Sequence, residues 1–196
     1  MTVRPGLSRI ITGTVAAFAL AGALHVGFNP VAGVPPLGQL LDPVHGIWSI
    51  ARTAELPAEQ RVALETLGAD VEVRYDDRAV PHIFAATELD AFRALGWVHA
   101  RDRLFQMELT QRSVAGTLAE LVGDRALPLD RAARQRGLGA GAEAKWAALA
   151  PGDTSRLVIT AYMEGVNDYI RTMRDADIPA EYRLLGKRPR SFQPQD

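Results

Sequence analysis

Residues 71–121 decide the fold, and they read VEVRYDDRAVPHIFAATELDAFRALGWVHARDRLFQMELTQRSVAGTLAEL. In the first part, Val71–Tyr75, apolar and charged residues alternate with a period of two, which predicts a half-buried strand. Turn-forming residues follow, and a second short apolar run occupies residues 80–85. Pro81 favours an edge position or a strand start for this run, because proline cannot donate to a central ladder. The two runs together predict a β-hairpin.

A helical period begins after the hairpin. Thr87, with Asp90 three residues later, has the spacing of a capping box, which predicts a helix that starts at this point. Apolar side chains then cover most of the helix circumference, and this pattern predicts a buried helix. The residues concerned are Ala91, Phe92, Leu95, Gly96, Trp97 and Val98.

The exact order of residues in this stretch indicates a family, which its periodicity alone does not. Residues 74–109, RYDDRAVPHIFAATELDAFRALGWVHARDRLFQMEL, resemble the opening of the mature chain of the penicillin acylase (penicillin amidase) family, which belongs to the N-terminal nucleophile (Ntn) hydrolase superfamily. The similarity continues in order through GTLAEL at residues 116–121, AYMEGVN at 161–167, EYRLLG at 181–186 and PQD at 194–196. It therefore extends to the last residue of the sequence.

The resemblance implies an α+β fold: the mostly helical α-chain portion of an αββα Ntn-hydrolase sandwich, with an N-terminal β-hairpin. Members of this family are made as a precursor that is cut into a smaller α chain and a larger β chain. The first residue of the β chain, usually serine, is the nucleophile. The present sequence resembles most of an α chain. The resemblance therefore implies that the catalytic residues lie on a β-chain partner and that this chain contains no catalytic residue.

The activity that the resemblance implies is hydrolysis of a linear amide between an acyl group and an amine. The β chain's own α-amine, whose unperturbed pKa is about 8, would act as the base. The substrate stays open between β-lactam side chains, acyl-homoserine lactones and similar small-molecule amides, and the substrate-binding residues are unknown. No cofactor is implied for the chemistry. The family commonly binds a structural calcium ion, for which no ligand is assigned in this chain.

Two alternatives stay open beside the enzyme. The polypeptide could be an inactive truncated fragment, or a membrane-tethered binding or scaffold domain that keeps the fold without the nucleophile. A downstream reading frame that carries Ser, Thr or Cys after a processing site would favour the enzyme. A stop codon directly after Asp196 would favour the alternatives.

Composition limits the classes of function. The chain has 196 residues, of which 47% are hydrophobic and 23% charged, enough for the core of one domain. Its formal net charge is -1, which argues against a nucleic-acid partner because phosphate neutralisation needs a basic patch. It contains no cysteine, so disulfides and thiolate metal sites are excluded.

Three regions are predicted along the chain. Residues 1–28 are a signal peptide or a membrane anchor, because Arg4 and Arg9 precede an uncharged apolar stretch at residues 10–28. Either alternative implies an exported protein, periplasmic or anchored in the membrane and facing outward. Residues 29–69 are a connector with short helices, interrupted by proline and glycine. Residues 70–196 are the penicillin-acylase-like α-chain region, expected to be incomplete at its C-terminus.

His99, Asp102 and Arg103 form a tight polar group at helical spacing i, i+3 and i+4. A functional interpretation makes His99 a base that Asp102 orients, but no nucleophile motif accompanies them. We therefore predict a structural cluster, a buried ion pair whose members satisfy one another. His82, among apolar neighbours, is similarly predicted to be a satisfied core histidine. The pair Glu108 and Arg112, at i and i+4, is predicted to lie on an exposed helix face.

Two positions depart from the family pattern. Ala79 stands where the family usually has glycine, and alanine would cost about 1 kcal/mol if the backbone there has positive φ. Phe192 replaces the usual tryptophan and should keep an aromatic anchor.

Further along, apolar residues between positions 157 and 173 form an unbroken stripe that predicts an amphipathic helix. Gly165 within the stripe predicts close approach of another backbone. Residues 182–186 are predicted to be a short strand or an extended run.

Overall fold

The computed structural model describes residues 5–29, 38, 64 and 66–196. The chain divides into two compact units, Met1–Ala54 and Glu55–Asp196. The short helices predicted in the connector lie almost wholly outside the described residues. The division of the chain at residues 28 and 69 stays a prediction.

The first unit contains the helix α1, Pro5–Phe28. Its part Ile10–Phe28 has 19 residues and a mean hydropathy of 1.7, long and apolar enough to cross a membrane. A signal sequence near the N-terminus has the same properties. The helix is therefore compatible with both alternatives that the sequence allows for this region.

The second unit contains the predicted hairpin. Strands β1 (Val71–Tyr75) and β2 (Pro81–Ala85) are antiparallel, and Val73 lies opposite Ile83. The Asp76 carboxylate closes the turn by accepting from the main-chain N–H groups of Arg78 and Val80 at 3.0 and 2.8 Å. Ala79 has φ 60°, the only positive φ at a non-glycine residue in the described part of the chain. The condition under which alanine is costly at this position is therefore met.

The long helix α2, Glu88–Ala115, follows, and its N-cap is Thr87 as the capping box predicts. The Thr87 hydroxyl accepts from the Asp90 N–H at 3.1 Å and donates to the Asp90 carboxylate at 2.8 Å. Arg103 interrupts the helix with φ −143° and ψ 21°. Gly116, in the left-handed conformation at φ 72°, ends it.

The amphipathic stripe forms helix α6, Thr154–Thr172, which packs along α2. The two helices approach so closely that a Cβ atom on Gly165 would overlap the carbonyl of Arg93. A Cβ atom on Gly96 would likewise overlap the carbonyl of Tyr162. The predicted close approach at Gly165 is confirmed, and the partner backbone is that of α2.

Short helices complete the unit, and the fold is α+β and mostly helical, as predicted. They are α3 (Ala119–Val122), a 3₁₀ turn (Asp124–Ala126), α4 (Leu127–Arg136), α5 (Leu138–Ala148), a second 3₁₀ turn (Asp175–Asp177) and α7 (Ala180–Leu185). The core lies where α2, α6 and α7 meet, around Leu104, Val166, Tyr182 and Phe192. The aromatic anchor expected at Phe192 is confirmed.

The strand predicted at residues 182–186 is wrong, because helix α7 occupies this place. Pro179 precedes the helix and Gly186, with φ 61°, ends it. Tyr182 within the helix and Ile178 before it are both buried. A segment of six residues is too short for periodicity alone to distinguish helix from strand.

Candidate functional site

A cleft of about 620 Å³ lies along the second half of α2. The helix lines it from His99 to Ala115, with polar groups at the start and the apolar Met107 and Val114 further on. Helices α5 and α6 add Gly139, Ala142 and Met163. The remaining lining is Phe192, Gln195 and Asp196, from the last ten residues of the chain, 187–196, which we call the C-terminal segment.

The amide of Asn167 holds the C-terminal segment against α6. Its Nδ2 donates to the main-chain carbonyl of Phe192 at 2.9 Å, and its Oδ1 accepts from the Phe192 N–H at 2.8 Å. The Phe192 side chain is 3% exposed and belongs to the core. Backbone and side chain of Phe192 are thus both fixed, and Phe192 also lines the cleft.

Asp196 anchors the other end of the segment to α2. Its carboxylate accepts from Gln111 Nε2 at 2.9 Å, from Arg190 Nη1 at 3.0 Å and from the Gln193 N–H at 2.8 Å. Arg190 also donates to Gln111 Oε1 at 2.5 Å. The three side chains form a closed ring of hydrogen bonds beside the cleft.

Glu108 lies below this ring and is fully buried, with 1% of its side chain exposed. Its carboxylate accepts from the Tyr182 hydroxyl at 2.5 Å and from Arg112 Nε at 2.7 Å. Burial, and then the bond to the Glu108 carboxylate, raise the pKa of Tyr182 well above its ordinary value. The prediction of an exposed pair Glu108 and Arg112 is wrong, because α7 and the segment that follows cover this face of α2.

His99, Asp102 and Arg103 do not form the predicted buried ion pair. All three are exposed and none is bonded to another. His99 Nδ1 lies 3.0 Å from the Tyr162 hydroxyl, and Arg103 donates to Gln106 at 3.3 Å. The interruption of the helix at Arg103 removes the regular spacing on which the prediction relied. A structural role for the three stays a prediction.

Asp102 has another partner than the predicted ones. It accepts from Arg101 Nε at 2.8 Å. The Arg101 guanidinium lies over the rings of Tyr75 and Trp97, with its Cζ 4.9 and 5.6 Å from their centroids. Arg101 therefore lies inward, whereas the sequence pattern predicted that its neighbours Asp102 and Arg103 would be buried.

His82 is also misplaced by the sequence prediction. It lies opposite Arg74 in the hairpin, and its side chain is 54% exposed, with Nε2 3.6 Å from Asp76 Oδ2. The period of two places His82 on the same outward face as Glu72 and Arg74, so the alternation itself contained the correct answer.

Four carboxylates are buried in the described residues, and each has partners. Asp90 accepts from the Gly68 N–H, Thr87 and Arg93, and these hydrogen bonds hold its pKa below the ordinary value. Asp130 accepts from two main-chain N–H groups at the start of α3, and Asp168 accepts from a threonine and an arginine. Together with Glu108 they serve the fold, and none is placed as a general base.

The described histidines are not paired with a nucleophile either. The partner of His25 is Asn29, that of His82 is Asp76, and that of His99 is Tyr162. In the part of the chain that the structure describes, no three His, Asp or Glu side chains could hold a metal ion together. The expected calcium site, with ligands shared between two chains, stays a prediction.

Sequence reasoning did not find Asn167, Gln111, Arg190 or the inward position of Glu108. Asn167 belongs to the EGVN motif and Asp196 to the terminal PQD motif, so the resemblance marked their neighbourhoods without assigning a role. The contact between positions 167 and 192 has no signal in local periodicity.

Comparisons with known proteins agree on one family. The model of the Penicillin amidase family matches residues 70–196. Penicillin acylase 2 proenzyme of Pseudomonas sp. (strain SE83) is 40% identical over 138 residues, which are 70% of this chain and 17% of that protein. Penicillin G acylase of Escherichia coli is 32% identical over 67% of this chain and 16% of that protein.

Two further similarities concern an enzyme of another name and a solved structure. Acyl-homoserine lactone acylase QuiP of Pseudomonas aeruginosa is 35% identical over 68% of this chain and 15% of that protein. The structure of a thermostable penicillin G acylase from Alcaligenes faecalis matches with a TM-score of 0.58 and 31% identity, over 64% of this chain and 67% of that chain. The chain thus spans only a minor part of the curated relatives.

Proposed function

The chain belongs to the penicillin amidase family, and on this premise we propose that it is the α-chain portion of an exported amidohydrolase that cleaves a linear amide between an acyl group and an amine. The observation that carries the proposal is the family match over residues 70–196, in which hairpin, long helix and C-terminal segment all take part. The relatives named above act on penicillins or on acyl-homoserine lactones, and both are compounds with an acyl group on an amide nitrogen.

The proposed mechanism places the nucleophile on a β-chain partner. In the described residues, each buried carboxylate is engaged in the fold and no histidine is paired with a serine or threonine hydroxyl. This arrangement supports a division in which the present chain supplies core and surface, while the partner supplies chemistry. The first residue of the β chain would attack the amide carbonyl, and its α-amine would accept the proton.

The cleft combines apolar side chains, among them Met107, Val114, Met163 and Phe192, with polar groups at its rim. Exposed apolar surface of this kind is what a β-chain partner would cover in the assembled enzyme. The substrate-binding residues stay unknown.

The proposal is tested by purifying the native protein under mild conditions and determining the N-terminal residue of any chain that accompanies it. A partner that begins with Ser, Thr or Cys, together with release of product from a phenylacetyl anilide or an acyl-homoserine lactone, is the expected result. The isolated chain should release no product. Turnover by the isolated chain would contradict the placement of the nucleophile.

The same purification examines the second candidate, a membrane-tethered binding or scaffold domain. Helix α1 is long and apolar enough to act as a tether. A stable folded chain that is recovered from the membrane fraction without a partner and without activity would favour the scaffold and contradict the enzyme.

A further inference from the structure

Helix α1 is apolar on every side. Residues 10–28 contain no Asp, Glu, Lys or Arg, so no face of this stretch carries a fixed charge. Large apolar side chains point in different directions around the helix axis, and Ile10, Phe18 and Leu20 are 67%, 75% and 62% exposed. A helix that is apolar all round is normally covered by a protein core or by a membrane. Among the described residues, none of Ile10–Phe28 is buried.

The apolar part of α1 also has the length of a membrane span. Its 19 residues rise about 28 Å, close to the thickness of the hydrocarbon core of a bilayer, about 30 Å. The Thr14 hydroxyl donates to the Ile10 carbonyl at 2.9 Å, so this polar group is satisfied within the helix, as hydrocarbon requires. At the other end, the main-chain N–H and the side-chain amide of Asn29 donate to the His25 carbonyl at 2.9 and 3.1 Å. The polar side chains of this last turn lie where the span would reach the interface with water.

The charges on the two sides of α1 give such a span a direction. Arg4 and Arg9 precede the apolar stretch, whereas residues 29–51 contain neither lysine nor arginine. Basic residues close to the end of a span are retained on the cytoplasmic side of the membrane. This asymmetry keeps the N-terminus inside and places the chain that follows α1 outside.

The same helix argues against removal as a signal peptide. The apolar region of a cleaved signal has about 7–15 residues and is followed by a small-residue cleavage site. In α1 the apolar stretch is longer, and the small residues Ala21, Gly22 and Ala23 lie inside the continuous helix Pro5–Phe28. A peptidase cleaves an extended chain, so this stretch would have to unwind before it could be cut.

We propose that α1 stays on the mature protein as a single transmembrane anchor, with its N-terminus in the cytoplasm and the α-chain region outside. The partner of its apolar surface is the hydrocarbon of a lipid bilayer. The inference goes beyond the proposed function and does not depend on it, because α1 and the α-chain region belong to different compact units.

Cysteine labelling tests the anchor and its direction together, since the chain has no cysteine of its own. Ser8→Cys places a thiol before the apolar stretch, and Asp42→Cys places one after it. In spheroplasts of cells that make the full precursor, a membrane-impermeant maleimide should label position 42 at once and position 8 only after lysis. Labelling of position 8 from outside, protection of position 42, or loss of position 8 from the mature chain would overturn the inference.

Membrane fractionation gives a second reading. We expect the parent chain to stay in membranes washed with alkaline carbonate, with an intact mass that includes residues 1–28. Leu24→Asp together with Val26→Asp shortens the uncharged stretch to residues 10–23, fewer than the roughly 17 residues that a span needs. The fraction of the chain that stays in washed membranes should fall about ten-fold or more.

Leu24→Val with Val26→Leu is the matched control, because it keeps both positions apolar, and it should fractionate like the parent. A signal peptide cut after Ala23 would leave positions 24 and 26 on a soluble chain, so a soluble parent would show that the inference is wrong. A charged variant that stays in the washed membranes would also contradict it, since the span would then not reach Phe28. None of these readings uses amide hydrolysis, so failure of the anchor is distinguishable from failure of the proposed function.

Discussion

Two acidic residues on α2 show opposite environments within two turns of the same helix. Glu108 is 1% exposed and bonded to Tyr182 and Arg112. Asp102 is 39% exposed and bonded to its neighbour Arg101. The interruption at Arg103 lies between them. The difference teaches that the position of a charged residue on a helix is decided by what packs against it.

The elements that pack over Glu108 explain why it is buried while Asp102 is exposed. Helix α7 brings the Tyr182 hydroxyl to Glu108, and the C-terminal segment brings Arg190, whose Nε lies 3.9 Å from Glu108 Oε1. Asp102 stays 39% exposed, and its partner in the described part of the chain comes from the adjacent position, Arg101. A buried carboxylate without partners would cost several kcal/mol, so Glu108 can be buried only because Tyr182 and Arg112 reach it.

The largest effect is expected for Glu108→Gln, which changes one oxygen to an amide nitrogen at the buried site. Arg112, with 13% of its side chain exposed, loses its buried counter-charge. We expect the free energy of unfolding of the full chain to fall by about 3 kcal/mol, the size typical of a broken buried pair. Urea unfolding followed by circular dichroism measures it. A loss no larger than that of an exposed residue would show that the site is not closed to water.

A smaller effect is expected for Tyr182→Phe, which removes one hydrogen bond and leaves the ring in place. The free energy of unfolding should fall by about 1–2 kcal/mol. Thermal unfolding of the full chain at neutral pH gives the value. An unchanged free energy of unfolding would mean that the hydrogen bond from the Tyr182 hydroxyl to Glu108 contributes nothing to stability.

Tyr182→Phe should also alter how the stability of the folded chain depends on pH. Burial and the bond to Glu108 raise the pKa of Tyr182, so the folded state keeps its proton where the unfolded state loses it. Stability is therefore fully present below the unfolded pKa of about 10 and falls as pH rises above it. Tyr182→Phe should show a shallower decline at alkaline pH than the parent, whereas equal slopes would contradict the assignment.

A gain in stability is expected at Ala79, in the turn of the hairpin. Ala79 has φ 60°, a conformation that glycine adopts without the strain of a Cβ atom. Ala79→Gly should raise the free energy of unfolding by up to about 1 kcal/mol. Ala86→Gly is a suitable control, because Ala86 does not have positive φ. A loss of stability in Ala79→Gly would show that the turn conformation is wrong.

The smallest effect is expected for Asp102→Asn, the same chemical change as Glu108→Gln at an exposed position. The amide oxygen can still accept from Arg101, and an exposed ion pair contributes little. We expect a change within about 0.5 kcal/mol by urea unfolding. Equal effects at positions 102 and 108 would remove the contrast between the two sites.

Local features were predictable from the residues. The Thr87 and Asp90 capping box and the apolar stripe of α6 both depend on neighbours within a few positions. The close contact at Gly165 could also be predicted, since a glycine inside an apolar helical stripe has few other uses. The candidate site could not be predicted from the sequence. Asn167 and Phe192 are far apart in the sequence, and neither belongs to a pattern with a fixed period.

By itself, the sequence determined the family, the hairpin and the two long helices, because repeated patterns of residues encode each of them. Only the tertiary structure decided that Glu108 lies inside while His99 and His82 lie outside, and that Asn167 holds the lining of the cleft. The physical reason is that burial and pairing of polar groups depend on elements that arrive from distant positions. A periodic pattern marks a face of a helix, but the partner that covers this face comes from elsewhere in the chain.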